Sequence, residues 1–143
     1  MEPGVSYSKL DPNTDERFLS LRRELGVTTF GINQIRLRPG QRGRIHRHLK
    51  QEEVYLVLAG TLSLVVEGEE TTLERGDLIR VAPGVRRQLV NRGPGNLHLL
   101  AIGGAGEHEG RDGRAYTAWD DTEPVSPQEM PMPEDLPASE LRD

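Results

Sequence analysis

Between residues 27 and 104 the chain alternates short aliphatic runs with clusters of turn-forming residues. The runs are FGINQIRL (30–37), VYLVLA (54–59), LSLVV (62–66), DLIRV (77–81), RQLV (87–90) and LHLLAI (97–102). Pro39-Gly40, Ala59-Gly60, Gly68, Gly76-Asp77, Pro83-Gly84, Gly93-Pro94-Gly95 and Gly103-Gly104 punctuate them. Short runs bounded by glycine and proline predict β-strands, and strands at this spacing predict an all-β sandwich or barrel. Val66-Glu67-Gly68-Glu69 has the form of a hairpin turn. VYLVLA is apolar at every position, so both of its faces need cover, as they have in an edge-free or double-layered sheet.

The flanks read differently. In residues 1–26, Asn13 with Glu16 has capping-box spacing, Phe18, Leu21 and Leu25 recur at helical intervals, and Gly26 suits a C′ position. This predicts one short helix packed on the barrel. In residues 105–143, five of the ten prolines fall between Pro124 and Pro137, which predicts an irregular tail. Tyr116 and Trp119 interrupt its polarity, so the segment near 115–120 is expected to dock on the barrel or on a neighbouring subunit. No internal repeat is visible.

Composition narrows the class. A length of 143 residues suits one domain with one core. With no cysteine, disulfides, zinc–thiolate sites and iron–sulfur clusters are excluded. From Glu107 onward 11 acidic residues and 3 arginines give −8, so a net charge of −5 leaves +3 on the rest. A mildly basic body with an acidic, solvated tail argues against nucleic acid as the main partner. The start has no basic segment followed by an apolar one, and no run is long enough to span a membrane, so the expected location is cytoplasmic. Of the 18 basic residues only Lys9 and Lys50 are lysines, which makes arginine the default cation of any pocket.

The candidate chemistry lies in Gly40-QRGRI-His46-Arg47-His48-LKQE-Glu53-VYLVLA-Gly60. Residues i and i+2 of a strand project to one face, so His46 and His48 point the same way. If residues 49–52 make a turn, Glu53 stands on the adjoining strand. Two imidazoles and a carboxylate converging there form a set used for divalent metals with open coordination positions. Glu52 falls on the opposite face. By the same parity Arg44 joins the histidines, Tyr55 and Val57 join Glu53, and Leu89 joins Arg87.

The spacing Gly-x5-His-x-His-x4-Glu-x6-Gly resembles the first signature motif of the cupin superfamily at every fixed position. Gly76-Asp-Leu-Ile-Arg-Val-Ala82-Pro83-Gly84-Val-Arg-Arg87-Gln88-Leu-Val-Asn91 resembles the second. The likeness covers about residues 30–103 and is similar to a subgroup of bacterial single-domain cupins without assigned function. It implies a jelly-roll barrel, or double-stranded β-helix. It also implies a metal site at His46, His48 and Glu53, holding one divalent ion such as iron, manganese, nickel or zinc. The second motif departs from the family pattern, because Arg87 stands where cupins usually carry a third histidine ligand. Arginine is always charged and is not a normal metal ligand. His98 is a candidate fourth ligand, whereas His108 is expected in solvent.

These residues lead to the expectation of a small-molecule-binding cupin whose ligand is a small anion, a carboxylate read by Arg87 with Arg44 and Tyr55 nearby. Arg87 would otherwise need neutralising by Glu53, or would have to extend to the barrel mouth. The alternatives are a metal-dependent enzyme such as a dioxygenase, and a metal-free sugar isomerase or epimerase using Tyr55 and His48. Strands apolar on both faces lead to the further expectation of a homodimer.

Overall fold

The computed structural model describes residues 3–104 and 112–142. Among these residues the strands in chain order are β1 (Phe18–Ser20), β2 (Gly31–Leu37), β3 (Ile45–His48), β4 (Glu52–Ala59), β5 (Leu62–Val66), β6 (Glu69–Leu73), β7 (Leu78–Val81), β8 (Arg87–Val90), β9 (Leu97–Gly104) and β10 (Gly113–Tyr116), with one α-helix, α1 (Leu21–Leu25), after β1 and two single 3-10 turns in the tail. They form two antiparallel five-stranded sheets, ordered β1-β2-β9-β4-β7 and β10-β3-β8-β5-β6. Each flank of the central segment therefore adds a strand, β1 to one sheet and β10 to the other.

The core lies between the sheets and follows strand parity. Tyr55 and Val57 on β4, Leu62 and Leu64 on β5, and Leu97 and Leu99 on β9 are each at most 1% exposed. Fully burying an aliphatic side chain of this size stabilises the fold by ~1.5–3 kcal/mol. The Val66–Glu69 turn is a two-residue hairpin with Glu67 and Gly68 both at positive φ, which matches the right-handed strand twist. Gly60 (φ +80°) joins β4 to β5, and a Cβ there would stand 2.4 Å from the Asn96 carbonyl oxygen. Asn91, fully buried, donates to the carbonyls of Leu37 and Gly95 and accepts from the Gly93 amide.

The expected N-terminal helix is shorter than its pattern suggested. Its cap is Ser20, whose hydroxyl accepts from the Arg23 amide, and Phe18 belongs to β1. Pairing of Phe18–Ser20 with Asn33–Ile35 on β2 outweighs the local helical spacing. Gly26 ends the helix in the left-handed conformation, as expected.

The tail docks on its own barrel. Tyr116 on β10 is buried and its hydroxyl accepts from Arg47 Nε at 2.7 Å. The Arg86 guanidinium lies 5.3 Å from the Tyr116 ring centre and donates to the Trp119 carbonyl. Further on, the chain crosses the barrel: Arg44 Nε donates to the Met130 carbonyl, Arg42 Nε to that of Glu134, and the Leu136 amide to that of Gly40. The basic body thus holds the tail chiefly through its carbonyl groups. His108 lies outside the described residues. Among the described residues, no helix is long and apolar enough to cross a membrane.

Candidate metal centre

β3 and β4 lie in different sheets, and the three-residue turn 49–51 between them brings both to one end of the core. His46 and His48 share the inward face of β3, with ring centres 5.3 Å apart and planes almost perpendicular. Each ring is oriented through Nδ1. His46 Nδ1 pairs with the Arg44 carbonyl at 3.1 Å, and His48 Nδ1 with Asp112 Oδ1 at 2.8 Å. Both rings turn Nε2 toward Glu53, at 4.0 Å from Oε1 for His46 and 3.6 Å from Oε2 for His48. One ligand atom from each residue lies within 4.8 Å of the others.

This set fits a divalent ion. Ligand atoms ~2.0–2.2 Å from one centre stand about 3.0–3.5 Å from one another, so these side chains need only close slightly. The donor chemistry, two neutral imidazoles and one carboxylate, suits iron(II), manganese, nickel or zinc. Both imidazoles have their second nitrogen already engaged, the arrangement that holds a ligating histidine in one tautomer.

The electrostatics agree with a site prepared for positive charge. Burial alone would raise the Glu53 pKa, but the neighbouring imidazoles of His46 and His48 outweigh it and hold the carboxyl far below its usual range. Burial opposes protonation of His48, yet Glu53 and the Asp112 hydrogen bond outweigh it, against a smaller opposing effect of Arg87, and raise its pKa. Tyr55 donates its hydroxyl to Glu53 Oε1. Burial first, and then the Glu53 charge, push the phenol pKa well up, with Arg87 acting the other way. The phenol therefore remains a donor at neutral pH.

Asp112 was not flagged in the sequence. It is 4% exposed and accepts from the Lys50 and Gln51 amides, from Gln51 Nε2 and from His48 Nδ1. No spacing rule ties it to the histidines, because pairing of β10 with β3 places it there, with Gly113 opposite His48.

Two candidates, His98 and Arg87, stand away from the open space of the site. His98 stands between Leu97 and Leu99, both fully buried in the core, so strand parity turns it to the opposite face of β9, away from the cluster. Arg87 pairs with His46 across β3 and β8, but its side chain is 0% exposed and does not reach the barrel mouth. Its Nη1 donates to the Val85 carbonyl, while Nε and Nη2 are buried without partners. Among the described residues no Arg87–carboxylate ion pair forms, and Glu53 is occupied by Tyr55 and the histidines. Glu52, by contrast, faces outward as expected and pairs with Arg80.

Two cavities meet at the cluster. The first, about 230 Å³, is lined by His46, His48, Glu53, Tyr55 and Arg44 together with Ile35, Leu89, Ala101 and, from the tail, Pro127 and Met132. The second, about 220 Å³, is polar, with Ser20, Arg22, Asn33 and Gln51 around His48 and Glu53. Asn33, His48 and Glu53 belong to both walls. Arg87 lines neither.

Residues 33–103 match the cupin domain family. The chain is 32% identical over 77 residues to the tetracenomycin polyketide synthase protein TcmJ of Streptomyces glaucescens, 54% of this chain and 52% of that protein. It therefore spans about half the length of the curated relative it matches. Among solved structures it is similar to a sugar phosphate isomerase of the cupin superfamily from Silicibacter pomeroyi, at 28% identity and a TM-score of 0.63 over 71% of this chain and 65% of that one. A cupin protein from Bacteroides fragilis matches at 24% identity and a TM-score of 0.66, over 87% of this chain and all of that one. The motif spacing, the two-sheet barrel and these likenesses agree, and the chain belongs to the cupin superfamily.

Proposed function

We propose that the chain binds a small carboxylate-bearing molecule on a divalent metal ion held by His46 Nε2, His48 Nε2 and Glu53. The observation that carries this reading is the position of the three ligand atoms on the wall of a cavity whose remaining lining is largely apolar. The ion would supply a Lewis-acid centre for an oxygen of the ligand. Ile35, Leu89, Ala101 and Met132 would take its carbon skeleton.

A metal-dependent enzyme is the second reading. Held by three protein ligands, an ion would keep coordination positions free for substrate and oxygen or water. The metal-free isomerase reading has less support. It would need Tyr55 to give its proton to the ligand, whereas the hydroxyl is engaged by Glu53 and its pKa is raised by burial.

The test is elemental analysis of the purified protein beside the double variant His46→Ala/His48→Ala. The parent is expected to retain a single transition-metal ion per chain after dialysis, and the variant to lose it. Equal metal content in the two proteins would remove the basis of the proposal.

A further inference from the structure

The sequence points to Arg87 as the cation that reads the ligand's anion, yet Arg87 is sealed beneath the site and lines neither cavity. The structure points to another residue. We propose that the polar cavity beside the cluster is the subsite for the ligand's carboxylate and that Arg22 is the residue that binds it. This inference rests on the function proposed above and assigns the two ends of the ligand to the two cavities.

Arg22 lies on α1, a single turn capped by Ser20 and anchored by Leu21, which is 5% exposed. Its side chain lines the polar cavity with Ser20, Asn33 and Gln51. Its Nε is buried and has no hydrogen-bond partner, and among the described residues its guanidinium makes no ion pair within 4.0 Å. The guanidinium borders the cavity, and a carboxylate placed there can pair with it in bidentate geometry. Arg44, the arginine of the apolar cavity, already gives its Nε to the Met130 carbonyl. Among the described residues, Arg22 thus makes no side-chain hydrogen bond, whereas Arg44 is tied to the tail.

The cavity is also shaped for a small polar group. Among the described residues Glu53 is the one acidic side chain on its wall, and it is directed toward the imidazoles and Tyr55. Gly103 forms part of the same wall, where a Cβ would come within 3.0 Å of Gln51 Oε1 and 3.7 Å of Glu53 Oε2. The absence of a side chain there keeps the space open beside the cluster. Because Asn33, His48 and Glu53 border both cavities, one ligand can place its carboxylate against Arg22 and its apolar body beside Ile35 and Leu89, spanning the cluster.

The experiment measures binding of benzoate and of its neutral counterpart benzamide to the metal-loaded full chain, by titration followed in two-dimensional NMR. The parent is expected to bind benzoate more tightly than benzamide. Arg22→Gln should weaken benzoate by about tenfold or more, the loss expected for a charge-assisted hydrogen bond, and leave benzamide and metal content unchanged. Arg22→Lys, which keeps the charge without the planar fork, should fall between the two. If Arg22→Gln binds benzoate within about twofold of the parent, the assignment of Arg22 is overturned while the carboxylate reading stands. If the metal-loaded parent does not prefer benzoate to benzamide, the carboxylate reading falls, and this inference with it.

Discussion

Arg87 carries an unusual cost for a residue so central to the barrel. It is fully buried, one of its nitrogens donates to Val85, and two have no partner. Each unsatisfied buried donor costs about 1–3 kcal/mol. Its position opposite His46 in the β3–β8 pair is where another inward side chain would stand beside the cluster. Arg87→His is therefore expected to raise metal affinity by adding an imidazole, and to do so without lowering the thermal unfolding midpoint of the metal-free protein. Competition against a coloured chelator measures the first and calorimetry the second. An unchanged or weakened affinity would show that the side chain at 87 cannot reach the ion.

Among the elements, β10 contributes more to the site than its four residues suggest. Its antiparallel pairing with β3 sets Asp112 behind His48, where one carboxylate binds the imidazole and the start of β4 through the Lys50 and Gln51 amides. Removing such a partner of a metal-binding histidine typically costs 10–100-fold in affinity. Asp112→Ala is expected to weaken metal binding by about that factor. Nitrogen-15 spectra of the metal-free variant should also show His48 losing its preference for the Nδ1-protonated tautomer. If the His48 tautomer is unaltered, Asp112 acts only as a turn-former for residues 49–51. The tail following β10 has a related effect, since Pro127 and Met132 close one side of the apolar cavity.

At the level of the whole molecule, the outer face of the β1-β2-β9-β4-β7 sheet carries two rows that are each apolar across three strands. Register places Ile32 beside Ile102 and Ile102 beside Val54, and in the next row Leu100, Leu56 and Leu78 lie side by side. Leu78 is 65% exposed and Ile102 36%. We propose that a second copy covers this face, in the closed two-fold arrangement commonest among homo-oligomers. Light scattering at micromolar concentration should give twice the chain mass, and Leu56→Lys should shift the protein toward the monomer mass. A parent protein that scatters as a monomer would rule the arrangement out.

The sequence alone was enough for the properties that depend on local periodicity and spacing. Strand alternation placed His46 and His48 on one face and sent Glu52 outward, and the two-residue hairpin at Glu67-Gly68 followed from turn chemistry. Gly26 marked the end of α1, because only a residue tolerant of the left-handed conformation suits that position. What remained undetermined depends on contacts between distant segments. The parity of β9, and with it the exclusion of His98, is set by the packing of Leu97 and Leu99 in the core. Phe18 joined a strand instead of a helix because β2 offered it a partner. Asp112 lies 64 residues from His48, and Arg22 comes from a helix outside the matched cupin segment. No pattern within one element ties either of them to the cluster. Only the closing of the two sheets brings them to it, as pairing and burial between remote strands select one arrangement from the many that local spacing permits.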